Sequence, residues 1–292
     1  MTFKINEYLN IKASRNENVS IPTGITVPEP GDAKCPVVVM GHGFLGSKDE
    51  EFGFYANNTE VKYGYPSIAE ELGKLGIGTI RIDMPGHGDS KDAFVNYTPA
   101  NCASDLQDAY DYCMKHYDFD PARVAYLGWS MGGKVGPIFV DNNDEIDLVV
   151  YLNPAGDNGN NALITAKEAG LDWAKLEVPA AREGTVYNEF VAENSELKDA
   201  VMSFEYFKQV DESVSGDLTK KFAAKPDHKG LVIYGDRDCV INPTTYKWMV
   251  EESGLEYVCI PGMDHDLGLE TDRPDFTNIV IDIAVSFINR FI

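Results

Sequence analysis

The chain has 292 residues, 43% of them hydrophobic, and 47 acidic side chains against 25 basic ones give a formal net charge of -22. That much apolar material suits one large α/β domain carrying an insertion better than two independent domains. The negative charge repels phosphate backbones and anionic lipid surfaces, so a small-molecule substrate is expected and nucleic-acid or membrane partners are not.

Met1 to Tyr8 carries no continuous apolar stretch and no small-residue cleavage site, and no later segment reaches the length of a membrane span; a cytoplasmic location is expected. Phe3 to Ala13 and Val19 to Val27 alternate in polarity and read as an antiparallel hairpin at a sheet edge. From about residue 35, short apolar runs alternate with amphipathic stretches, the pattern of a parallel sheet with crossover helices. Val37 to Met40 is the first such strand, and it leads into the glycine-rich loop Gly41-His42-Gly43-Phe44-Leu45-Gly46. Next comes a long segment, Ser47 to Pro66, with Phe52, Phe54 and Tyr55, and then the strand Thr79 to Ile82. Between Thr98 and Tyr117 the apolar positions Leu106, Ala109, Tyr110, Cys113, Met114 and Tyr117 recur at helical spacing, with Thr98 and Pro99 as N-cap and first helical residue.

The strand Val124 to Leu127 runs directly into Gly128-Trp129-Ser130-Met131-Gly132-Gly133. This reads as strand, sharp turn and helix with Ser130 at the apex, the small residues at 128 and 132 leaving room for the turn. Such a turn lifts a hydroxyl clear of the sheet and aims the first N–H groups of the next helix at the place where an oxyanion would form. A serine hydroxyl alone is a weak nucleophile, so it needs a base, a carboxylate to orient that base, and a second oxyanion donor.

After the strand Leu148 to Leu152, some seventy residues pass before the next buried-strand pattern, Leu231 to Tyr234. That gap is too long for an ordinary connection and reads as a cap inserted over residues 154–226, between a first core part at 1–153 and a second at 227–292. Within the cap, Trp173, Tyr187 and Phe207 are candidates to line a substrate site together with Phe44, and Phe190, Phe204 and Tyr206 add further rings. The loop Gly235-Asp236-Arg237-Asp238-Cys239-Val240 offers the orienting acid, with Asp238 preferred; Asp236 suits the turn itself, and Asp157 is the outside alternative. Tyr257 to Ile260 is the last strand, and His265 in the loop after it is the candidate base. Of the other four histidines, His116 and His228 sit in helix-end or linker contexts, while His42 and His87 lie in glycine-rich loops where they would brace the backbone. The backbone N–H groups of Phe44 and Met131 are the candidate oxyanion donors, and Asp275 to Ile292 closes the chain as a helix. Cys35, Cys102, Cys113, Cys239 and Cys259 are scattered, with no CxxC pair and no histidine at ligand spacing, so they read as buried structural thiols and no metal site is expected.

The order Ser130, Asp238, His265, the elbow and the oxyanion loop together resemble the α/β-hydrolase fold superfamily. Asp83-Met84-Pro85-Gly86-His87-Gly88-Asp89-Ser90 looks like that family's D-x-x-G-H-G-x-S turn, which is structural there. The resemblance implies a mostly parallel, doubly wound sheet with N-terminal antiparallel edge strands and an inserted cap. Within the superfamily, the Gly41 to Phe44 loop, the elbow and the cap look most like bacterial cinnamoyl or feruloyl esterases, implying hydrolysis of carboxylic esters such as hydroxycinnamates without metal or organic cofactor. Serine at position 130 sets the chain apart from haloalkane dehalogenases and epoxide hydrolases, which need a carboxylate nucleophile, and from dienelactone hydrolases, which use cysteine. Proline iminopeptidases carry HGGPG where this chain has His42-Gly43-Phe44. A monoacylglycerol lipase, thioesterase or acyltransferase would use the same groups, and a non-catalytic binding protein on this scaffold is the rival from another class. Oligomeric state is left open, a homo-oligomer included.

Overall fold

The structure, a computed structural model, describes residues 3–29, 34–49, 64–155, 185–187, 201–211, 214–241, 251, 253–268, 273 and 275–292. Strands β1 (Phe3–Lys12) and β2 (Ser20–Pro28) form the expected hairpin, and β3 (Cys35–Gly41) and β4 (Gly78–Ile82) follow it. β5 (Phe119–Trp129) and β6 (Ile146–Leu152) continue the sheet; β7 (Thr185–Tyr187) and β8 (Val201–Ser203) pair separately; β9 (Lys229–Gly235) and β10 (Glu256–Ile260) complete it. The order across the large sheet is β1-β2-β4-β3-β5-β6-β9-β10, antiparallel at β1/β2 and β2/β4 and parallel elsewhere.

Burial follows from position in that order. Along β3, Val37 and Val39 enter one apolar cluster while Val38 and Met40 enter the other, so both faces of the strand are covered. A parallel strand flanked by helices on both faces can be continuously apolar, and this one is. One departure from the expected polarity is β2, which is buried from Ile21 to Pro28 because it lies between β1 and β4; of the hairpin, only β1 is a half-exposed edge strand.

The helices are α1 (Tyr65–Lys74), α2 (Pro99–His116), α3 (Met131–Asp141), α4 (Phe204–Asp211), α5 (Val214–Ala223) and α6 (Asp275–Phe291). α1 and α6 cover one face; α2 and α3 cover the other. α2 starts where the sequence predicts, with the Thr98 hydroxyl accepting from Asn101 N at 3.2 Å and Pro99 at the first helical position, and it buries Leu106, Ala109, Tyr110 and Cys113. Among the described residues no helix is long and apolar enough to cross a membrane.

The stretch between β6 and β9 does not keep its described side chains to itself. Met202, Tyr206, Val210 and Phe222 belong to the same buried cluster as α2 and α3, and the Ser215 hydroxyl donates to the Lys134 carbonyl of α3 at 2.7 Å. Asp157, Trp173, Phe190 and the segment with Phe52, Phe54 and Tyr55 lie outside the described residues, as do the side chains of Tyr187, Phe204 and Phe207.

The cysteines correct the sequence reading in part. Cys102 and Cys113 are buried and Cys35 half-buried, but Cys239 and Cys259 are exposed. Cys259 lies on β10, the last strand in the sheet order among the described residues, and Cys239 lies in the loop after β9.

Lys48 anchors the turn after β4. Its ammonium lies 2.7 Å from Asp49, 3.0 Å from Asp83 and 2.7 Å from Asp89, with only 3% of its side chain exposed. Asp83 also accepts from the backbone N–H groups of Lys48 and Asp89 at 2.7 and 2.9 Å. Burial pushes the Asp83 carboxyl above the usual carboxylate range, and the Lys48 charge and both N–H groups work against that shift. Removing the ammonium leaves a buried carboxylate without its cation, a change that costs about 3 kcal/mol or more. Lys48→Met is therefore expected to lower urea-unfolding stability by at least about 3 kcal/mol; a loss below about 1 kcal/mol would show that the backbone N–H groups alone hold Asp83.

Candidate active site

At the C-terminal end of β5 the chain turns through Ser130 into α3. Ser130 has φ 51° and ψ -116°, a conformation L-residues rarely hold and one that costs about 1–3 kcal/mol. Neighbouring hydrogen bonds keep it there: Ser130 N donates to Leu152 O at 2.9 Å, and Ser130 O accepts from Gly133 N and Ala155 N at 2.9 and 2.8 Å. The flanking glycines are required by contact. A Cβ on Gly132 would lie 1.9 Å from the Gly41 carbonyl oxygen, and one on Gly128 would lie 2.4 Å from the Gly132 carbonyl oxygen.

The loops after β9 and β10 bring the acid and the base to this turn. His265 Nε2 lies 3.0 Å from Ser130 Oγ, and His265 Nδ1 lies 2.8 Å from Asp238 Oδ2. Asp238 Oδ1 accepts from Val240 N and Ile241 N at 2.9 and 2.8 Å, so both carboxylate oxygens are engaged and the group has one orientation. Serine, histidine and aspartate are all buried, at 7%, 6% and 3% exposure, which strengthens the polar contacts among them. Asp236 Oδ1 accepts from Gly262 N at 2.6 Å and ties the Asp238 loop to the His265 loop.

The oxyanion-loop candidates adjoin the same turn. Met131 is the first residue of α3, where backbone N–H groups precede the intrahelical ladder. A Cβ on Gly43 would stand 3.1 Å from Ser130 Cβ, so the Phe44 loop is packed against the elbow. His42 braces that loop, its Nδ1 donating to Gly43 O at 2.7 Å and its Nε2 accepting from Met84 N at 3.0 Å. The Phe44 ring lies 5.9 Å from Phe94, 5.8 Å from Tyr97 and 6.2 Å from Tyr206, forming an aromatic wall beside the loop. Of the other predicted lining residues, Tyr187 is on β7 and Phe207 on α4.

Two further residues shape the site without having been singled out in the sequence. Trp129 stacks on His265 with ring centroids 5.6 Å apart and an interplanar angle of 28°. Asn153, just past β6, is fully buried with φ 37°. The signal for both is positional: Trp129 is the last residue of β5 and Asn153 the first after β6, at the edge where Ser130, Asp238 and His265 gather.

A model of the Alpha/beta hydrolase family matches residues 37–278. The chain belongs to this family. Its fold is similar to that of Est1E from Butyrivibrio proteoclasticus, solved with ferulic acid bound, at a TM-score of 0.70 and 18% identity over 97% of each chain. The Pyrococcus furiosus esterase Pf2001 aligns at a TM-score of 0.66 and 16% identity, covering 99% of this chain and 92% of that one. At such identities the likeness is one of fold. YtaP of Bacillus subtilis is 26% identical over 148 residues, 47% of this chain and 49% of YtaP, so the match spans about half the length of that curated relative.

Burial lowers the His42 pKa to about 4 and the His87 pKa to about 3, and the proximity of the two rings adds to the effect on His87. Both imidazoles are neutral in the folded chain and take up protons more readily when unfolded, near pH 6.5. Their contribution to stability is complete above about pH 6.5 and is lost as the pH falls toward 4, at about 1.4 kcal/mol per pH unit for each ring. His87→Phe keeps a ring in the aromatic cluster and removes one titrating group. Denaturant unfolding across this window is expected to show a slope shallower by about 1.4 kcal/mol per pH unit than in the parent; equal slopes would assign the acid sensitivity elsewhere.

Proposed function

We propose that this protein is a serine hydrolase of carboxylic esters that works through an acyl-enzyme, with hydroxycinnamoyl and other short-to-medium acyl esters as its substrate class. The observation that carries the reading is the hydrogen-bonded line from Ser130 Oγ through the His265 ring to Asp238, mounted on a strained turn at a helix N-terminus.

Ser130 Oγ attacks the ester carbonyl carbon while its proton passes to His265 Nε2. Asp238, accepting from His265 Nδ1–H, fixes the tautomer that leaves the Nε2 lone pair facing the serine and then stabilises the imidazolium. The carbonyl oxygen becomes an oxyanion held by the N–H groups of Phe44 and Met131. Collapse breaks the bond to the alcohol, which leaves with the proton from His265 Nε2. Water then attacks the acyl-enzyme, giving its proton to His265; collapse releases the acid, and Ser130 recovers the proton. Each proton is returned, so the cycle calls for no metal or organic cofactor. Trp129 stacked on the imidazole gives the positive charge an aromatic face during each half-reaction.

For the substrate class, the support is the ring wall of Phe44, Phe94, Tyr97 and Tyr206 beside the oxyanion loop, suited to a planar acyl group, together with the fold likeness to Est1E, solved with ferulic acid bound.

Purified protein is expected to release p-nitrophenol from short acyl esters with an initial burst and to be labelled at Ser130 by a fluorophosphonate. Ser130→Ala is expected to lower kcat by about 10⁴-fold or more, and Asp238→Asn by about 10⁴-fold because the wrong tautomer then faces the serine. Turnover of methyl ferulate above that of short p-nitrophenyl esters and monoacylglycerols would support the substrate class; a preference for aminoacyl amides would overturn it. Unchanged turnover in Ser130→Ala would sink the mechanism.

A further inference from the structure

Three segments must hold their relative positions for Ser130, Asp238 and His265 to stay in line, and they leave the sheet at three different strands. One side chain ties the backbone of two of them together, and the residue before it is bonded to the third. Asn153 Nδ2 donates to the carbonyls of Asp264 and His265 at 3.0 and 2.8 Å. Its Oδ1 accepts from Gly235 N at 3.0 Å, at the end of β9 and three residues before Asp238. Its own N–H donates to Ile233 O at 2.8 Å, and the residue before it, Leu152, accepts from Ser130 N.

A carboxamide is the group this place calls for. It presents two N–H donors and one carbonyl on a short stem, and the partners here are two carbonyls and one N–H. Aspartate would set a carboxylate oxygen against two carbonyls, serine could donate once, and glutamine is a methylene too long. The backbone agrees with the choice, because φ 37° is a conformation that asparagine tolerates better than other residues with a Cβ. The side chain is wholly buried, so each bond it loses leaves a polar group without water to replace it.

We infer that Asn153 is the positioning residue of the site: its carboxamide sets the height of the His265 backbone, and so of the imidazole, against both Ser130 and the Asp238 loop. This rests on the Ser130, His265, Asp238 reading. The His265 carbonyl accepts from Asn153 at 2.8 Å and from Trp129 Nε1 at the longer distance of 3.4 Å, so the amide is the firmer of the two ties. A reacting group displaced by about 1 Å loses on the order of a hundredfold in rate even when binding is intact. The signature of the role is therefore a fall in kcat at nearly constant KM.

The test compares the parent with Asn153→Asp and Asn153→Ala, reading kcat and KM for p-nitrophenyl butyrate, the thermal midpoint, and the downfield proton NMR signal of the His265 Nδ1–H to Asp238 bond. Asn153→Asp keeps the side-chain shape and guards against failure of the alanine variant to fold. It is expected to lower kcat about a hundredfold with KM within about threefold, and to weaken or abolish the downfield signal. Its kcat relative to the parent should recover as the pH is lowered from about 8 to about 6, since a carboxyl that takes up a proton regains one donor. A folded variant with kcat within about threefold of the parent and an unshifted downfield signal would overturn the inference, as would a raised KM at constant kcat. If the parent neither turns over esters nor is labelled at Ser130, the functional reading falls. The downfield signal still decides the positioning: retained in the variant, it overturns the inference, and lost, it supports it.

Discussion

A close approach between a strand end and a helix start sets much of what surrounds it. The start of α3 is pressed so hard against the end of β3 that position 132 has no space for a single carbon beyond the backbone, the Gly41 carbonyl occupying it. This contact lets a helix begin one residue after a strand ends, and it forces Ser130 into its unfavourable dihedral angles. Two buried tyrosines answer the polar groups that the contact exposes. Tyr65 OH donates to Gly41 O at 2.8 Å, and Tyr126 OH donates to Gly132 O at 2.7 Å. The strain at one residue is thus balanced by packing and hydrogen bonds drawn from α1, β3, β5 and α3, and the loop after β3 is held beside the serine by the same contact.

Parallel topology explains why so much of the site was legible in the sequence. In a parallel sheet the C-terminal ends of the strands gather at one edge, so the residues following Met40, Leu127, Tyr234 and Ile260 must be neighbours whatever their separation along the chain. Naming the loops was enough to place Phe44, Ser130, Asp238 and His265 together. The parts that escaped depend on register and on exact depth. Nothing in the sequence says that the Asn153 carboxamide meets two carbonyls and an N–H, or that the Trp129 indole lies flat on an imidazole. The exposure of Cys259 likewise depends on β10 being the outermost strand, and the burial of β2 on β4 pairing beside it. Local pattern fixes which residues form a strand, whereas order within the sheet decides what covers it.

The two loop histidines show how a residue type associated with proton transfer can be made inert. His42 and His87 are each engaged with a backbone carbonyl at Nδ1 and wholly enclosed, and their rings lie 5.3 Å apart, so a charge on either is disfavoured twice. His265 has the same ring chemistry with a carboxylate behind it and a hydroxyl ahead. The contrast is made by surroundings: the carbonyls fix the two loop rings in place while full enclosure, with no carboxylate bonded to either ring, keeps them neutral, whereas His265 is bonded to a carboxylate.

The separation of the site along the chain has a consequence for how the protein comes into being. Ser130 and His265 are 135 positions apart, and Asp238 and His265 are 27 apart. Closing the longer loop costs only about 1.4 kcal/mol more than closing the shorter one, so the late arrival of the base carries a small thermodynamic penalty. Its timing is the larger effect. During synthesis Ser130 and its turn emerge well before β9, β10 and the loops that carry Asp238 and His265. In the nascent chain the serine turn therefore stands apart from both, and the contacts among the three residues form only with the last strands of the sheet in place.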